Sequence, residues 1–284
     1  MDFSHVTVLG PGLLGGSLLK ALSEFSPKPL IHAWAHRPET VARVAQSGCA
    51  QLATTDLAAA VADADLIILA TPVGAMPKLA ESMREHLRPD ALVTDVGSVK
   101  AGLSQSIPAA LHGAATYIGS HPMAGSEQAG FSASSATLFQ GATCIVTPMP
   151  AIDPVLVRKL SAFWEMLGMR TQIRTPQAHD ELVAEVSHLP HLVASALVAH
   201  AAATPENGLS CTGPGWRDTT RVASGSPELW TEILATNRHA VSNAAVAFAA
   251  RLLEAARYIR EGDTERVQAF LTRAKQDRER RLDS

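Results

Sequence analysis

The chain has 284 residues, of which 46% are hydrophobic and 18% charged, with 19 Gly and 17 Pro. That apolar fraction builds a folded core and excludes disordered and fibrous classes, and the length suits one large or two modest domains. Acids outnumber bases 27 to 24, a net charge of −3 with 11 His neutral, so the basic excess of a nucleic-acid binder is missing.

His5–Leu9 is an apolar, β-branched run that a glycine-rich turn ends, and Leu13–Phe25 follows with helical spacing. Pro29–Ala35 reads as a second strand and Pro38–Gly48 as a second helix that stops at its glycine. Thr55 and Asp56 form an N-cap region for Leu57–Ala62. Leu66–Ala70 is the continuous apolar run of a strand covered on both faces, and Ala91–Asp95, Thr116–Gly119 and Ala142–Thr147 repeat the signal. Pro154–Leu167 predicts a helix and Arg170–Arg174 a short strand. Beyond Pro176 the pattern is helical nearly throughout, ending in a mixed-charge terminal helix over Arg273–Asp283.

This order predicts an α/β fold, an N-terminal Rossmann-like doubly wound sheet followed by an all-helical C-terminal domain. The boundary falls near 172–178, giving residues 1–174 as the Rossmann-like domain and 175–284 as the helical domain. Three scattered cysteines, Cys49, Cys144 and Cys211, argue against a disulfide framework and for a reducing, cytoplasmic setting. MDFSHVTVLG lacks the basic start of a signal peptide. The uncharged run Val186–Pro205 has the length of a membrane span. Its three His, two Pro and two Ser make a buried helix the expected reading, with no membrane partner.

Gly10-Pro11-Gly12-Leu13-Leu14-Gly15 is a G-x-G-x-x-G placed directly between a strand and a helix, the context the motif needs. Gly10 permits the tight turn, Gly12 lets a pyrophosphate approach the backbone, and Gly15 lets helix and strand pack closely. An acid is expected some way past the glycines where a ribose 2′-hydroxyl is bound. The second strand instead runs out into His36-Arg37-Pro38, and Arg37 can pair with a 2′-phosphate through a charge-assisted fork. NADP is therefore expected over NAD.

In an open α/β sheet, ligands sit beyond the carboxyl ends of the strands. Three loops reach that edge: Thr71-Pro72-Val73, Gly97-Ser98-Val99-Lys100, and the loop from Ser120-His121 through Ser126-Glu127. A histidine at such an edge can abstract a proton. No G-x-S-x-G elbow occurs, which disfavours a hydrolase of that fold. Ser187-His188-Leu189-Pro190-His191 places Ser187 with His191 and His188 with His191 at helical spacing. A metal reading of this cluster needs a third ligand such as His179, and no metal is expected. Arg221 can clamp a carboxylate and Asp218 can hold a neighbouring charge; the competing reading is a surface ion pair.

GPGLLGGS, TDVGSVK, GSHPMAGSEQAG, the pair His179-Asp180, SHLPH and WRDTTRVASGSPELW, in this order, resemble the prephenate dehydrogenase family. These are the enzymes of tyrosine biosynthesis that include arogenate and cyclohexadienyl dehydrogenases, and the resemblance runs from Gly10 to the helices after Trp230. It implies oxidative decarboxylation of prephenate or arogenate by a nicotinamide cofactor, in a homodimer formed through the helical domain. Carried over by motif position, His121 would take the proton of the ring hydroxyl, and Ser98 would hydrogen-bond that hydroxyl and orient His121. His191, with Ser187 and His188, would line the crevice, Arg221 would bind a substrate carboxylate, and Trp230 would form a wall. Ser126, Glu127 and Asp218 would belong to the surrounding polar network, and Gly10, Gly12, Leu13, Leu14, Gly15, His36, Arg37, Thr71 and Pro72 would hold the cofactor. The alternatives are another Rossmann-plus-helical dehydrogenase or reductase, or a non-catalytic protein that senses NADP.

Overall fold

The computed structural model describes residues 2–204 and 208–282, so Pro205 and Asp283 lie outside the described residues. Six strands build the main sheet: β1 (His5–Leu9), β2 (Leu30–Trp34), β3 (Leu52–Thr54), β4 (Leu66–Leu69), β5 (Leu92–Asp95) and β6 (Thr116–Tyr117). They lie in the order β3-β2-β1-β4-β5-β6, all parallel. The order reverses between β1 and β4, which opens a crevice at their carboxyl ends. Every residue of β1 and β4 is buried. That explains the unbroken apolar run of β4 and the absence of charge from β1, whose buried Thr7 hydroxyl donates to the Ala60 carbonyl at 2.7 Å: helices cover both faces, so neither face meets water.

The crossover helices are α1 (Leu13–Ser23), α2 (Pro38–Ser47), α3 (Leu57–Val61), α4 (Met76–Met83) and α5 (Leu103–Leu111). Asp56 caps α3 by accepting from the Ala59 amide at 3.2 Å. Three elements are absent from the sequence expectations. β3 is a three-residue edge strand, α4 starts at Met76-Pro77, and α5 carries Pro108 inside it, so shortness or proline hides each one.

Thr116–Gly119 is not one strand. β6 ends the parallel sheet, and the chain enters β7 (Gly119–Pro122), which runs antiparallel to β8 (Thr143–Thr147). β9 (Arg170–Ile173) pairs parallel with β8, completing a separate three-stranded sheet. Two expectations are corrected here. Ala142–Thr147 does not extend the parallel sheet, and His121 stands on a strand opposite Ile145 rather than in a loop. A buried apolar run reads the same in either sheet, because periodicity reports burial and not the pairing partner. The two layers are stitched through Ser120, whose hydroxyl lies 2.8 Å from Thr94 Oγ1 and accepts from Trp164 Nε1 at 3.0 Å; Trp164 stands on α6 (Pro154–Met166).

The helical part opens with α7 (Pro176–Val183), where Thr175 caps the helix through the Ala178 amide. A π-helical turn over Ala184–His188 leads into α8 (Leu189–Ala202). Pro190 cannot donate back into the preceding turn and its ring crowds it, and the widened turn absorbs that conflict. The segment Pro176–Ala202 is long and apolar enough to span a bilayer by length and composition. Its buried face nevertheless carries His179, Asp180, His188 and His191. α9 (Pro214–Thr220) and α10 (Pro227–Thr236) complete this part. The chain divides into two compact units, Met1–Asn237 and Arg238–Ser284. The second holds α11 (Arg238–Glu261) and α12 (Thr264–Leu282), which pack on each other. The charged end of α12 carries the exposed pairs Arg273–Asp277 and Lys275–Glu279.

Candidate active site

At the end of β1, Gly10 has φ +100°, and a Cβ there would lie 2.8 Å from the Ala70 carbonyl oxygen. A Cβ on Gly15 would sit 2.2 Å from the Gly10 oxygen, so both positions exclude a side chain. Gly12 differs: nothing stands within 4 Å of a Cβ built on it. It occupies the N-cap of α1 with no side-chain cap, and Leu13 and Leu14 open the helix. The first amides of α1 have no hydrogen-bond partner among the described residues, and the helix end carries a partial positive charge. Thr71, just past β4, has a buried hydroxyl with no hydrogen-bond partner, and its methyl carbon lies against the Gly10 position; exposed Pro72 follows. Beyond β2, His36 and Arg37 are exposed, and the Arg37 guanidinium has no ion-pair partner among the described residues. Uncapped amides, an orphaned hydroxyl and an open glycine face fit the phosphates of a dinucleotide.

β5 ends in Asp95, fully buried like Lys100 five residues on. Asp95 Oδ1 accepts from Tyr117 OH at 2.8 Å and from the Ser120 amide at 3.3 Å. Its Oδ2 accepts from the Gly97 amide at 2.8 Å and from Lys100 Nζ. Burial and the Asp95 charge push the Tyr117 hydroxyl far above its ordinary pKa, so it stays a donor. The Asp95–Lys100 pair draws the loop between them down onto the sheet. Ser98 stands on that loop, half-buried, with no hydrogen-bond partner among the described residues.

His121 on β7 is buried, and its Nδ1 lies 2.8 Å from His179 Nε2. His179 Nδ1 lies 2.8 Å from Asp180 Oδ1. Asp180 in turn accepts from the amides of Lys100 at 2.7 Å and Ala101 at 2.9 Å. Burial lowers the pKa of His121 well below the ordinary histidine value, with the charges of His179, Lys100 and His188 adding to it. Burial also lowers His179, against the opposing pull of Asp180. For Asp180, burial acts upward, but the bonds from His179 and the two amides outweigh it and hold the carboxyl down. At neutral pH the arrangement is two neutral imidazoles and one carboxylate.

Asn237 donates from Nδ2 to the Asp180 carbonyl at 2.8 Å and to His188 Nδ1 at 3.2 Å. His188 is buried and its pKa is pushed down to about 4, chiefly by burial. His191 stacks on Trp230 with ring centroids 3.6 Å apart and planes within 10°, and His188 meets the same ring edge-on at 6.1 Å. Burial lowers His191 as well, with the Val222 backbone acting against it. The sign of the resulting pH dependence is fixed. Between pH 6.5 and about 4 the unfolded chain protonates a histidine that folded His188 refuses, so stability falls as pH falls through that window. The expected loss is on the order of 3 kcal/mol. Urea unfolding at pH 4.5 and 7.5 measures it; His188→Asn is expected to show a shallower dependence, and an unchanged one would remove His188 as its source.

Arg221 pairs with Glu127 at 2.7 Å, with side chains 60% and 34% exposed. A pair that wet contributes within about 1 kcal/mol, so its partner is easily exchanged. Ser126 accepts from the Gln128 amide, and Asp218 is exposed with no bond to Arg221 among the described residues.

The structure thus gathers His188, His191 and Trp230 into one cluster and Arg221 with Glu127 into another. Ser187 is half-buried with no hydrogen bond to His191 among the described residues, Ser98 makes none to His121, and His121 Nδ1 is bonded to His179. Sequence reasoning placed no site role on Asp95, Lys100, Asp180 or Asn237, and gave His179 only a metal-ligand alternative. A signal existed in the carboxylate ending an otherwise uncharged strand, which has to find a partner when buried.

A parallel sheet with a reversal point and an uncapped glycine turn, together with a buried neutral histidine on β7, are the features of a dinucleotide-dependent α/β oxidoreductase. The family model "Prephenate dehydrogenase, nucleotide-binding domain" matches residues 20–173, and "Prephenate dehydrogenase, dimerization domain" matches residues 175–273. The chain is 30% identical to the cyclohexadienyl dehydrogenase of Zymomonas mobilis over 84% of its own length and 83% of the relative's. It is 29% identical to the prephenate dehydrogenase of Bacillus subtilis, over 96% and 75%. Among solved structures it is similar to prephenate dehydrogenase from A. aeolicus in complex with hydroxyphenyl propionate and NAD+, with a TM-score of 0.90, 30% identity and 98% of each chain covered. Synechocystis arogenate dehydrogenase matches with a TM-score of 0.84 and 28% identity, over 97% of this chain and 99% of that one. The chain belongs to the prephenate dehydrogenase family, and it is an oxidoreductase that uses a nicotinamide dinucleotide.

Proposed function

We propose that this chain oxidatively decarboxylates prephenate or arogenate in tyrosine biosynthesis, with NADP as the preferred cofactor. The observation that carries the reading is His121: buried, neutral, and bonded through Nδ1 to His179, with Nε2 lacking a partner among the described residues. The nicotinamide supplies the acceptor for the hydride that leaves the ring carbon. His121 Nε2 takes the hydroxyl proton as that C–H bond breaks, and the ring oxygen becomes a carbonyl. Breaking the bond to the ring carboxylate releases CO₂ and sends its electron pair into the ring. The ring becomes aromatic and the oxygen recovers its proton from His121. Ser98 donates its free hydroxyl toward the same oxygen. Arg221 exchanges Glu127 for a substrate carboxylate, with Ser126 and Asp218 nearby in sequence to the pair. The stacked His191–Trp230 pair, with His188 and Ser187, walls the crevice.

Gly10, Gly12, Leu13, Leu14, Gly15, Thr71 and Pro72 hold the dinucleotide, and His36 and Arg37 favour a 2′-phosphate. In this reading residues 1–174 bind the cofactor and 175–284 serve substrate and dimerisation. The exposure of Val246, Leu252, Leu253 and Ile259 in the Arg238–Ser284 unit supports a homodimer. The free, buried thiols of Cys49 and Cys144 agree with a cytoplasmic setting.

Initial rates with prephenate and arogenate, each crossed with NADP and NAD, test the function. Absence of turnover in all four combinations would overturn it. In the same assay Arg37→Ala is expected to raise KM for NADP about tenfold, the loss of one charge-assisted contact, with little effect on NAD. Equal effects on both would reject the 2′-phosphate role.

A further inference from the structure

We infer that His179 and Asp180 are positioning residues that hold His121 in the tautomer with its proton on Nδ1, leaving Nε2 as the free base. The inference rests on the proposed role of His121 and deepens it. Donor and acceptor counting carries it. Asp180 Oδ1 receives the Lys100 amide at 2.7 Å and Oδ2 the Ala101 amide at 2.9 Å, so both oxygens are acceptors. His179 Nδ1, 2.8 Å from Oδ1, must therefore donate. A neutral imidazole carries one N–H, which leaves His179 Nε2 as an acceptor. His121 Nδ1, 2.8 Å away, donates to it. The single N–H of neutral His121 is then used, and the lone pair stands on Nε2.

The groups around His121 keep this assignment consistent. His179 faces it from α7 with Asp180 behind, His188 acts on it from the π-helical turn and Lys100, with its partner Asp95, from the end of β5, while the Cys144 thiol on β8 meets only the His121 backbone. Lys100 is paired with Asp95, and its charge, like those of His179 and His188, still disfavours a second proton on His121. No proton has to travel along the relay: His121 gains one at Nε2 and keeps its Nδ1–H on His179 throughout. Were His179 itself protonated, its Nε2–H would point at His121 Nδ1 and force the His121 proton onto Nε2, blocking the base. Burial, which lowers His179, works against that state.

The experiment combines ring-nitrogen NMR of histidine-labelled protein with kinetics of His179→Leu and His179→Gln in the presence of NADP or NAD. His121 is expected in the Nδ1–H form at neutral pH, and an Nε2–H form would overturn the proposal. His179→Leu removes the acceptor, and kcat is expected to fall about 10²-fold with KM and dinucleotide Kd little changed. Glutamine can accept with its amide oxygen and donate with its amide nitrogen, so His179→Gln is expected to stay within about tenfold of wild type; a larger loss would count against the relay. If His121→Asn is inactive while His179→Leu retains wild-type kcat, the relay fails and the base stands. If His121→Asn retains full activity, the base reading itself fails. Should His179→Leu no longer bind dinucleotide, the tautomer seen in the wild type decides.

Discussion

His121→Asn is expected to lower kcat by about 10²–10⁴ while the dinucleotide still binds with its wild-type Kd. The ring sits on β7, within the short sheet formed with β8 and β9, and it touches none of the glycine-turn residues through a hydrogen bond. Asparagine keeps a side-chain amide near His179 but supplies no basic nitrogen at neutral pH. The loss therefore falls on the proton-transfer step rather than on cofactor binding. Dinucleotide titration by fluorescence, beside steady-state kinetics on the preferred substrate, separates the two. A variant with wild-type kcat would remove His121 from the chemistry, and one that also loses dinucleotide binding would mark the residue as structural.

Lys100→Met is expected to destabilise the protein by about 3–5 kcal/mol, because it strands Asp95 as a buried charge without its counter-ion. Both side chains of the pair have zero exposure, so solvent cannot compensate. Tyr117, the Ser120 amide and the Gly97 amide still donate to Asp95, but three dipoles do not replace a full positive charge. For a unit of this size the loss corresponds to a fall in Tm of roughly 10 °C. Pairing the substitution with Asp95→Asn removes both charges, and the double variant is expected to recover much of the stability. Calorimetry on the two single variants and the double variant measures the coupling. Strict additivity would mean that the ion pair does not hold the Ser98 loop.

Much of the first half of the fold was legible residue by residue. β1, β2, β4 and β5, with α1 to α3, fall within two residues of where apolar runs, caps and glycine stops put them. Local rules suffice there, because a doubly covered strand is mostly apolar and β-branched and a helix end must find a cap. The glycine turn was equally legible, since steric exclusion at Gly10 and Gly15 acts between near neighbours in the chain or at the next strand. Where the rules were weak the reading was weak too: a three-residue edge strand leaves almost no periodicity to detect.

The chemistry of the site divides along the same line. The candidate site residues Ser98, His121, His191, Arg221 and Trp230 stand in motifs that the chain carries openly. Which of them meet is another matter. His121 and His179 are 58 positions apart, Lys100 and Asp180 are 80, and Arg221 and Glu127 are 94. No local pattern encodes such pairings, because each arises from the satisfaction of a buried polar group once the core has closed around it. The sequence by itself determined the cofactor turn, the strand alternation and the family. The tertiary structure alone decided that β7 leaves the parallel sheet, that Asp95 and Lys100 pair out of reach of solvent, and that His179 takes the nitrogen of His121. Burial makes an unpartnered charge or N–H too costly to leave, so the partner is chosen by what folding brings within reach.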